Sequence, residues 1–223
     1  MNNFLTIAID GPASSGKSTV SKQIAKDLNL VYIDTGAMYR ALTLAAIRQD
    51  IDFGDELKLA ELLENIAISF EPSENGQLVF INGEDITQAI RSSEVTNNVS
   101  QVSFHESVRS ELVKRQRELA NSKSVIMDGR DIGTVVLPNA NVKIFLVASV
   151  KERAERRYKE NLERGINTSF EELTEEIVKR DEKDSNRKIS PLKQAEDAVK
   201  LDTTGLTIPE VVKKIKQIIE KTK

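Results

Sequence analysis

Gly11-Pro12-Ala13-Ser14-Ser15-Gly16-Lys17-Ser18, followed by Thr19, is the stretch that decides the fold of this 223-residue chain. Its spacing is G-x-x-x-x-G-K-[ST], met by Gly11, Gly16, Lys17 and Ser18. Glycines at these points let successive backbone N–H groups converge on an anion that Cβ atoms would obstruct. Before the stretch, Phe4 to Ile9 is a short apolar run with little alternation, as in a central parallel strand covered on both faces. After it, Lys17 to Leu28 places Val20, Ile24 and Leu28 at helical spacing. Strand, glycine-rich turn and helix N-terminus together predict a phosphate cradle lined by residues 11–19. In such a cradle Lys17 reaches the β and γ phosphates of a nucleoside triphosphate, and the Ser18 hydroxyl can ligate Mg²⁺.

Working outward, Val31 to Ile33 reads as a second strand. Ala37 to Ile47 reads as a helix whose apolar face is Leu42, Leu44, Ala45 and Ile47. Ser124 to Met127, Val142 to Val147 and Ala198 to Leu201 read as further strands, and Ile208 to Lys221 as a closing amphipathic helix. Strands alternating with helices predict an α/β fold with a parallel, doubly wound sheet. One stretch breaks the rhythm. Between Ile66 and Ile86, β-prone pieces are punctuated by Asn75-Gly76 and Asn82-Gly83. Asn-Gly is a hairpin signal because both residues tolerate the positive φ of a type I′ turn. The stretch is read as a small antiparallel insertion, continuing helically to about Val102.

The chain holds 32 basic and 35 acidic side chains and a formal net charge of -3, so no global field draws nucleic acid to it. An anionic ligand must be held by local basic clusters. Without cysteine, disulfides, thiolate metal sites and thiol chemistry are excluded. No stretch approaches the roughly 20 apolar residues that span a bilayer, and MNNFLTIAIDGP lacks the basic flank of a secretion signal. A cytoplasmic protein without membrane or nucleic-acid partners is expected.

Three arginine-bearing segments are candidates for a second anion site. Asp34-Thr35-Gly36-Ala37-Met38-Tyr39-Arg40 follows the second strand, where open α/β sheets bind ligands. Tyr39 offers a flat face and Arg40 a bidentate fork; the plain alternative is a helix start with Tyr39 packed inward. Asp128-Gly129-Arg130-Asp131-Ile132-Gly133-Thr134 follows the third strand. It reads as a site loop or as a turn with a structural Arg–Asp pair. Asp128, ending an apolar run, is the candidate for ordering Mg²⁺ through water. In the third segment, Arg180, Asp184 and Arg187 fall at i, i+4 and i+7, on one face if the segment is helical. That face suits a solvated ion-pair ladder as well as a ribose diol and phosphates.

Taken together, IDGPASSGKST, DTGAMYRA, VSQVSFHESVR, DGRDIGTVV, KIFLVAS and KRDEKDSNR resemble, in order and spacing, the bacterial cytidylate kinases of the nucleoside monophosphate kinase group. The resemblance covers essentially the whole chain, and Thr35 stands where some members carry serine. It implies a P-loop three-layer fold with a five-stranded parallel sheet and a core of residues 1–64 and 103–223. It also implies a nucleotide-binding insert over 65–102 and a short lid over 152–166. Within the lid lie Arg153, Arg156, Arg157 and Arg164; Arg153 and Arg157 share a helical face, and Arg157 is the expected ATP-phosphate contact. The implied reaction is Mg²⁺-dependent transfer of the ATP γ-phosphoryl group to CMP or dCMP by a monomer. Lys17, Arg130 and Arg187 are the expected catalytic groups. The resemblance puts Arg40 and Arg130 on the acceptor phosphate, with Thr35 and Tyr39 beside them. It puts Ser100, Arg109 and Asp131 on the cytosine edge, Arg180 and Asp184 on the sugar, and Arg187 on phosphates. His105, the one histidine, is expected to be structural. The rival readings are a UMP, AMP or shikimate kinase on the same fold, or a slowly hydrolysing nucleotide switch.

Overall fold

The computed structural model describes residues 4–73, 76–163 and 165–222. In chain order its elements begin with β1 (Thr6–Asp10), α1 (Lys17–Leu28), β2 (Val31–Asp34), α2 (Thr35–Arg48) and α3 (Glu56–Glu64). They continue with β3 (Ile68–Ser73), β4 (Gly76–Ile81), β5 (Glu84–Asp85), α4 (Ser93–Val102) and α5 (Glu106–Ala120). The last are β6 (Val125–Gly129), β7 (Val142–Val147), α6 (Val150–Glu163), α7 (Phe170–Ser185), β8 (Val199–Asp202) and α8 (Ile208–Thr222). Five strands form a sheet in the order β2-β6-β1-β7-β8, and β3-β4-β5 form a separate three-stranded sheet.

The chain divides into two compact units, Met1–Val31 with Lys123–Lys223, and Tyr32–Ser122. In the first, β1 pairs in parallel with β6 on one side and β7 on the other, with Ile9 opposite both Asp128 and Ile144. β8 extends the sheet beside β7, again in parallel. Ile7, Ala8 and Ile9 are fully buried, as an unalternating apolar run requires of a strand covered on both faces. The strand expected over 198–201 lies at Val199–Asp202. α8 packs on α1 and β7 and buries Val211, Val212, Ile215 and Ile219, and Lys216 makes an ion pair with Asp27. Each such large apolar side chain contributes about 1.5–3 kcal/mol through burial.

The second unit has its own core. Met38, Leu42, Leu59, Leu63, Val79, Ile86, Ile90, Val95, Val102, Val108 and Leu112 bury together. The expected insert, residues 65–102, falls inside this unit and shares its core with α2, α3 and α5. α2 starts two residues earlier than its apolar pattern suggests, because the Asp34 carboxylate caps it by accepting from the Ala37 N–H at 2.9 Å. Asn82 and Gly83, at φ 49° and 85°, form the predicted primed turn between β4 and β5. Asn75, the first half of the other signal, lies outside the described residues, although Ser73 and Gly76 pair across β3 and β4.

Gln77 of β4 reaches the start of the unit. Its amide donates to the Tyr32 carbonyl at 2.5 Å and accepts from the Asp34 N–H at 3.3 Å. Strand backbone groups alternate in direction, and the Val31 N–H donates to the Ser124 carbonyl, on the side of β6. Tyr32 and Asp34 therefore face the opposite side of β2, where the Gln77 side chain takes the place of a neighbouring strand.

Candidate functional site

The turn after β1 is built from strained backbone. Gly11, Ser14 and Gly16 have φ of 150°, 57° and 87°. A Cβ on Gly11 would lie 2.1 Å from the Leu146 carbonyl oxygen, so only glycine lets this loop pass β7. Lys17 opens α1 and is buried, 5% exposed. Its Nζ donates to the Pro12 carbonyl at 2.6 Å and to Ser15 Oγ at 3.3 Å. Burial first, and the Arg130 charge second, lower its pKa to about 7, against the opposing pull of Asp128 and Asp10. Ser18 Oγ donates to Asp128 Oδ2 at 2.8 Å. A hydroxyl beside a carboxylate is an all-oxygen donor set, which fits Mg²⁺. No group of three or more His, Cys, Asp or Glu able to hold a metal occurs among the described residues, so phosphate and water would supply the remaining ligands.

α6 braces this loop from outside. Arg153, buried, donates to the carbonyls of Ala13 and Ala148 at 3.1 Å each, and pairs with Asp181 at 2.6 Å. Arg156 donates to the Ser15 carbonyl at 3.4 Å and the Thr203 carbonyl at 2.9 Å. Arg157 instead pairs with Glu160 at 3.4 Å. Arg153 and Arg156 thus bind the loop together, while Arg157, grouped with Arg153 by the sequence pattern, turns to its own helix. Arg164 lies outside the described residues. The sequence reading missed Arg156 as a loop contact, because i+3 and i+4 on a helix are equally close to residue i.

A second cationic cluster occupies the same unit. Asp184 is buried and shared: Oδ2 accepts from Arg130 Nε at 2.8 Å, and Oδ1 from Arg187 Nη2 at 2.9 Å. Burial raises its pKa, but Arg130, Arg180 and Arg187 outweigh that and hold it below the usual carboxylate range. For Arg130 burial opposes the charge, yet Asp184, then Asp128 and Asp181, keep it firmly protonated. Arg187 is not on the helix as predicted. α7 ends at Ser185 with Asn186 as its cap, and Arg187 folds back to Asp184 from beyond the end. Asp131 is buried at the head of a π-helical turn, Ile132–Val136. Its carbonyl accepts from the Val135 and Val136 N–H groups at 2.8 and 3.1 Å. Such turns concentrate at functional sites.

In the other unit, Asp34 also pairs with Arg40 Nη2 at 2.9 Å. Burial raises the Asp34 pKa, but Arg40, the Ala37 N–H and Arg91 together carry it below its ordinary value. Arg91, at the end of the 3₁₀ turn Ala89–Arg91, is a cation that no sequence motif singled out. Thr35 and Tyr39 are buried, and the Arg109 guanidinium lies 5.2 Å from the centre of the Tyr39 ring, at cation–π distance. Arg109 also donates to the Ser103 carbonyl at 3.2 Å, and the Ser100 carbonyl accepts from Ser103 Oγ at 3.1 Å. His105 caps α5, with Nε2 2.7 Å from the Phe53 carbonyl and Nδ1 3.6 Å from Glu56, contacts that hold a chain turn.

Comparison with known proteins gives a matching picture. Among solved structures, a shikimate kinase from Bacteroides thetaiotaomicron aligns at TM-score 0.50 and 15% identity, covering 97% of this chain and 98% of the other. A gluconokinase from Sinorhizobium meliloti 1021 aligns at TM-score 0.51 and 13% identity, covering 97% and 92%. At such identities these show the shared fold alone. A cytidylate kinase of Bacillus cereus (strain B4264) is 57% identical over 219 residues, 98% of this chain and 97% of that protein. A cytidylate kinase of Bacillus thuringiensis (strain Al Hakam) matches to the same extent. The family model described as cytidylate kinase matches residues 7–221. With its phosphate loop, its Ser18–Asp128 pair and its arginine-bound Asp184, this chain belongs to the cytidylate kinase family.

Proposed function

We propose that this enzyme transfers the γ-phosphoryl group of ATP to CMP or dCMP, giving ADP and CDP or dCDP, as a cytoplasmic monomer. The observation that carries the reading is the buried Asp184 with Arg130 and Arg187 on its two oxygens, in the unit that also holds the phosphate loop. A nucleotide hydrolase has no use for a second preorganised cation cluster, whereas a kinase whose acceptor is itself a phosphate needs one.

That acceptor is already an anion, so no strong general base is required, and the difficulty lies in bringing two polyanions into line. Lys17, its ammonium held at the mouth of the loop by Pro12, is assigned to the β and γ phosphates. The backbone N–H groups of Gly11 and of residues 13–19 are assigned to the same phosphates. Ser18, with Asp128 through water, would hold Mg²⁺, which neutralises phosphate charge when bound. Arg130 and Arg187 stabilise charge spreading over the transferred group. Arg130 and Arg40 are assigned to the acceptor phosphate, with Thr35 and Tyr39 beside Arg40. Arg180 and Asp184 are assigned to the sugar, and Arg157 to ATP phosphate. Asp131, Arg109 and Ser100 are assigned to cytosine, Asp131 accepting from the exocyclic amine and Arg109 donating to ring N3 and O2. Uracil shares O2 but presents an acceptor at the 4-position and an N–H at N3, leaving buried polar groups unpaired.

A coupled assay with ATP and, in turn, CMP, dCMP, UMP, AMP and shikimate tests the reaction. CMP and dCMP are expected to be used best; equal or better turnover of another acceptor would overturn the assignment. Asp131→Ala is expected to lower the preference for CMP over UMP, and an unchanged ratio would count against its role.

A further inference from the structure

Asp10 closes β1 one residue before the phosphate loop, and the mechanism above does not use it. It is 4% exposed, with Gly129 opposite it on β6 and Phe145 opposite it on β7. Both carboxylate oxygens are engaged by main chain: Oδ1 accepts from the Ile132 N–H at 2.8 Å and Oδ2 from the Gly133 N–H at 2.7 Å. These amides open the π-helical turn that Asp131 heads. Burial pushes the Asp10 pKa up to about 6 even though both amides pull it down, so this carboxylate sits where an apolar residue would be less costly. The turn is seated against it with no spare room. A Cβ on Gly133 would come within 3.3 Å of Asp10 Oδ2 and 3.2 Å of Lys143 Cδ. Lys143 in turn donates to the Pro138 carbonyl at 2.5 Å and pairs with Asp197 at 2.7 Å. The segment is therefore pinned near its start by a carboxylate on β1 and near its end by an ammonium on β7.

We infer that Asp10 is a positioning residue for acceptor selection: it fixes the backbone of Asp131 relative to the phosphate loop, so the base-reading carboxylate takes its place from the strand that carries the ATP site. The inference rests on the assignment of Asp131 to cytosine. A buried N–H left without its acceptor is costly. Where that cost is relieved by movement of the turn, it appears as lost discrimination.

The test is Asp10→Asn, which keeps shape and one acceptor but sets an amide N–H₂ against a backbone N–H. The second variant is Gly133→Ala, which presses on the same contacts from the turn. For each folded variant, kcat/KM is measured with CMP and with UMP, and ATP affinity by titration without acceptor. Both variants are expected to lower the CMP-to-UMP ratio about tenfold or more, the equivalent of one lost buried hydrogen bond, while ATP affinity changes much less. A folded Asp10→Asn that keeps the ratio, or one that loses ATP and CMP affinity in equal measure, overturns the inference. If Asp10→Asn does not fold, Gly133→Ala decides on the same criteria. Asp131→Ala run alongside separates the two claims. A ratio lost there but kept in Asp10→Asn overturns the positioning role alone, and a ratio unchanged there overturns the cytosine assignment and this inference with it.

Discussion

Lys17 shows how much chemistry one side chain carries here. Its ammonium is desolvated and already bonded to the Pro12 carbonyl of the loop it serves, so little reorganisation is needed when a polyanion arrives. Lys17→Ala is expected to lower kcat by about 10²–10³ or more, with the circular dichroism spectrum and the cooperativity of thermal unfolding retained. Full activity in that variant would remove the loop from the mechanism. Ser18 is tested by a pair of changes. Ser18→Ala should raise the Mg²⁺ concentration needed for half-maximal activity, and Ser18→Thr, which keeps the hydroxyl facing Asp128, should leave it near wild type. Gly11, Lys17 and Ser18 were legible in the sequence because a phosphate loop is made of neighbours along the chain. Asp10 was not, because its partners Ile132 and Gly133 lie 122 and 123 residues away.

Among the elements, α6 carries a contact that the sequence pattern did not foresee. The resemblance implied a lid here, with Arg153 and Arg157 on one helical face. Arg153 of this helix reaches the phosphate loop, 140 residues distant in sequence, and no local pattern encodes that contact. Arg153→Met leaves Asp181 and two carbonyls without their cation. It is expected to reduce unfolding free energy by about 3 kcal/mol in urea denaturation, and a change near zero would mean that the brace is idle. α7 was read correctly at Arg180 and Asp184 but run too far, since periodicity does not mark where a helix stops. Its start was encoded more openly. Ser169 and Glu172 form a capping box, and Ser169→Ala should cost about 1 kcal/mol of stability in the same measurement.

For the molecule as a whole, alternation of apolar runs with helical patterns made the α/β class legible, and two Asn-Gly pairs announced the small antiparallel sheet. The order β2-β6-β1-β7-β8 was beyond reach, because pairing partners such as Thr6 and Val125 are set by packing over long separations. Buried ion clusters give the fold a defined acid sensitivity. Asp184 has a folded pKa below the 3.8 of an unperturbed aspartate, so its contribution is complete above that value and is lost as pH falls below it. The acid limb of unfolding free energy should therefore be steeper in wild type than in Asp184→Asn, as urea titrations at stepped pH would show. Equal slopes would mean that the arginines do not hold its charge. Finally, the amide of Gln77 occupies the open flank of β2, where the Tyr32 carbonyl and Asp34 N–H would otherwise stand ready to recruit a foreign strand. One side chain thus acts as a guard against self-association: Gln77→Ala is expected to stay folded but to aggregate faster in concentrated solution, and light scattering that matches wild type would deny it that role.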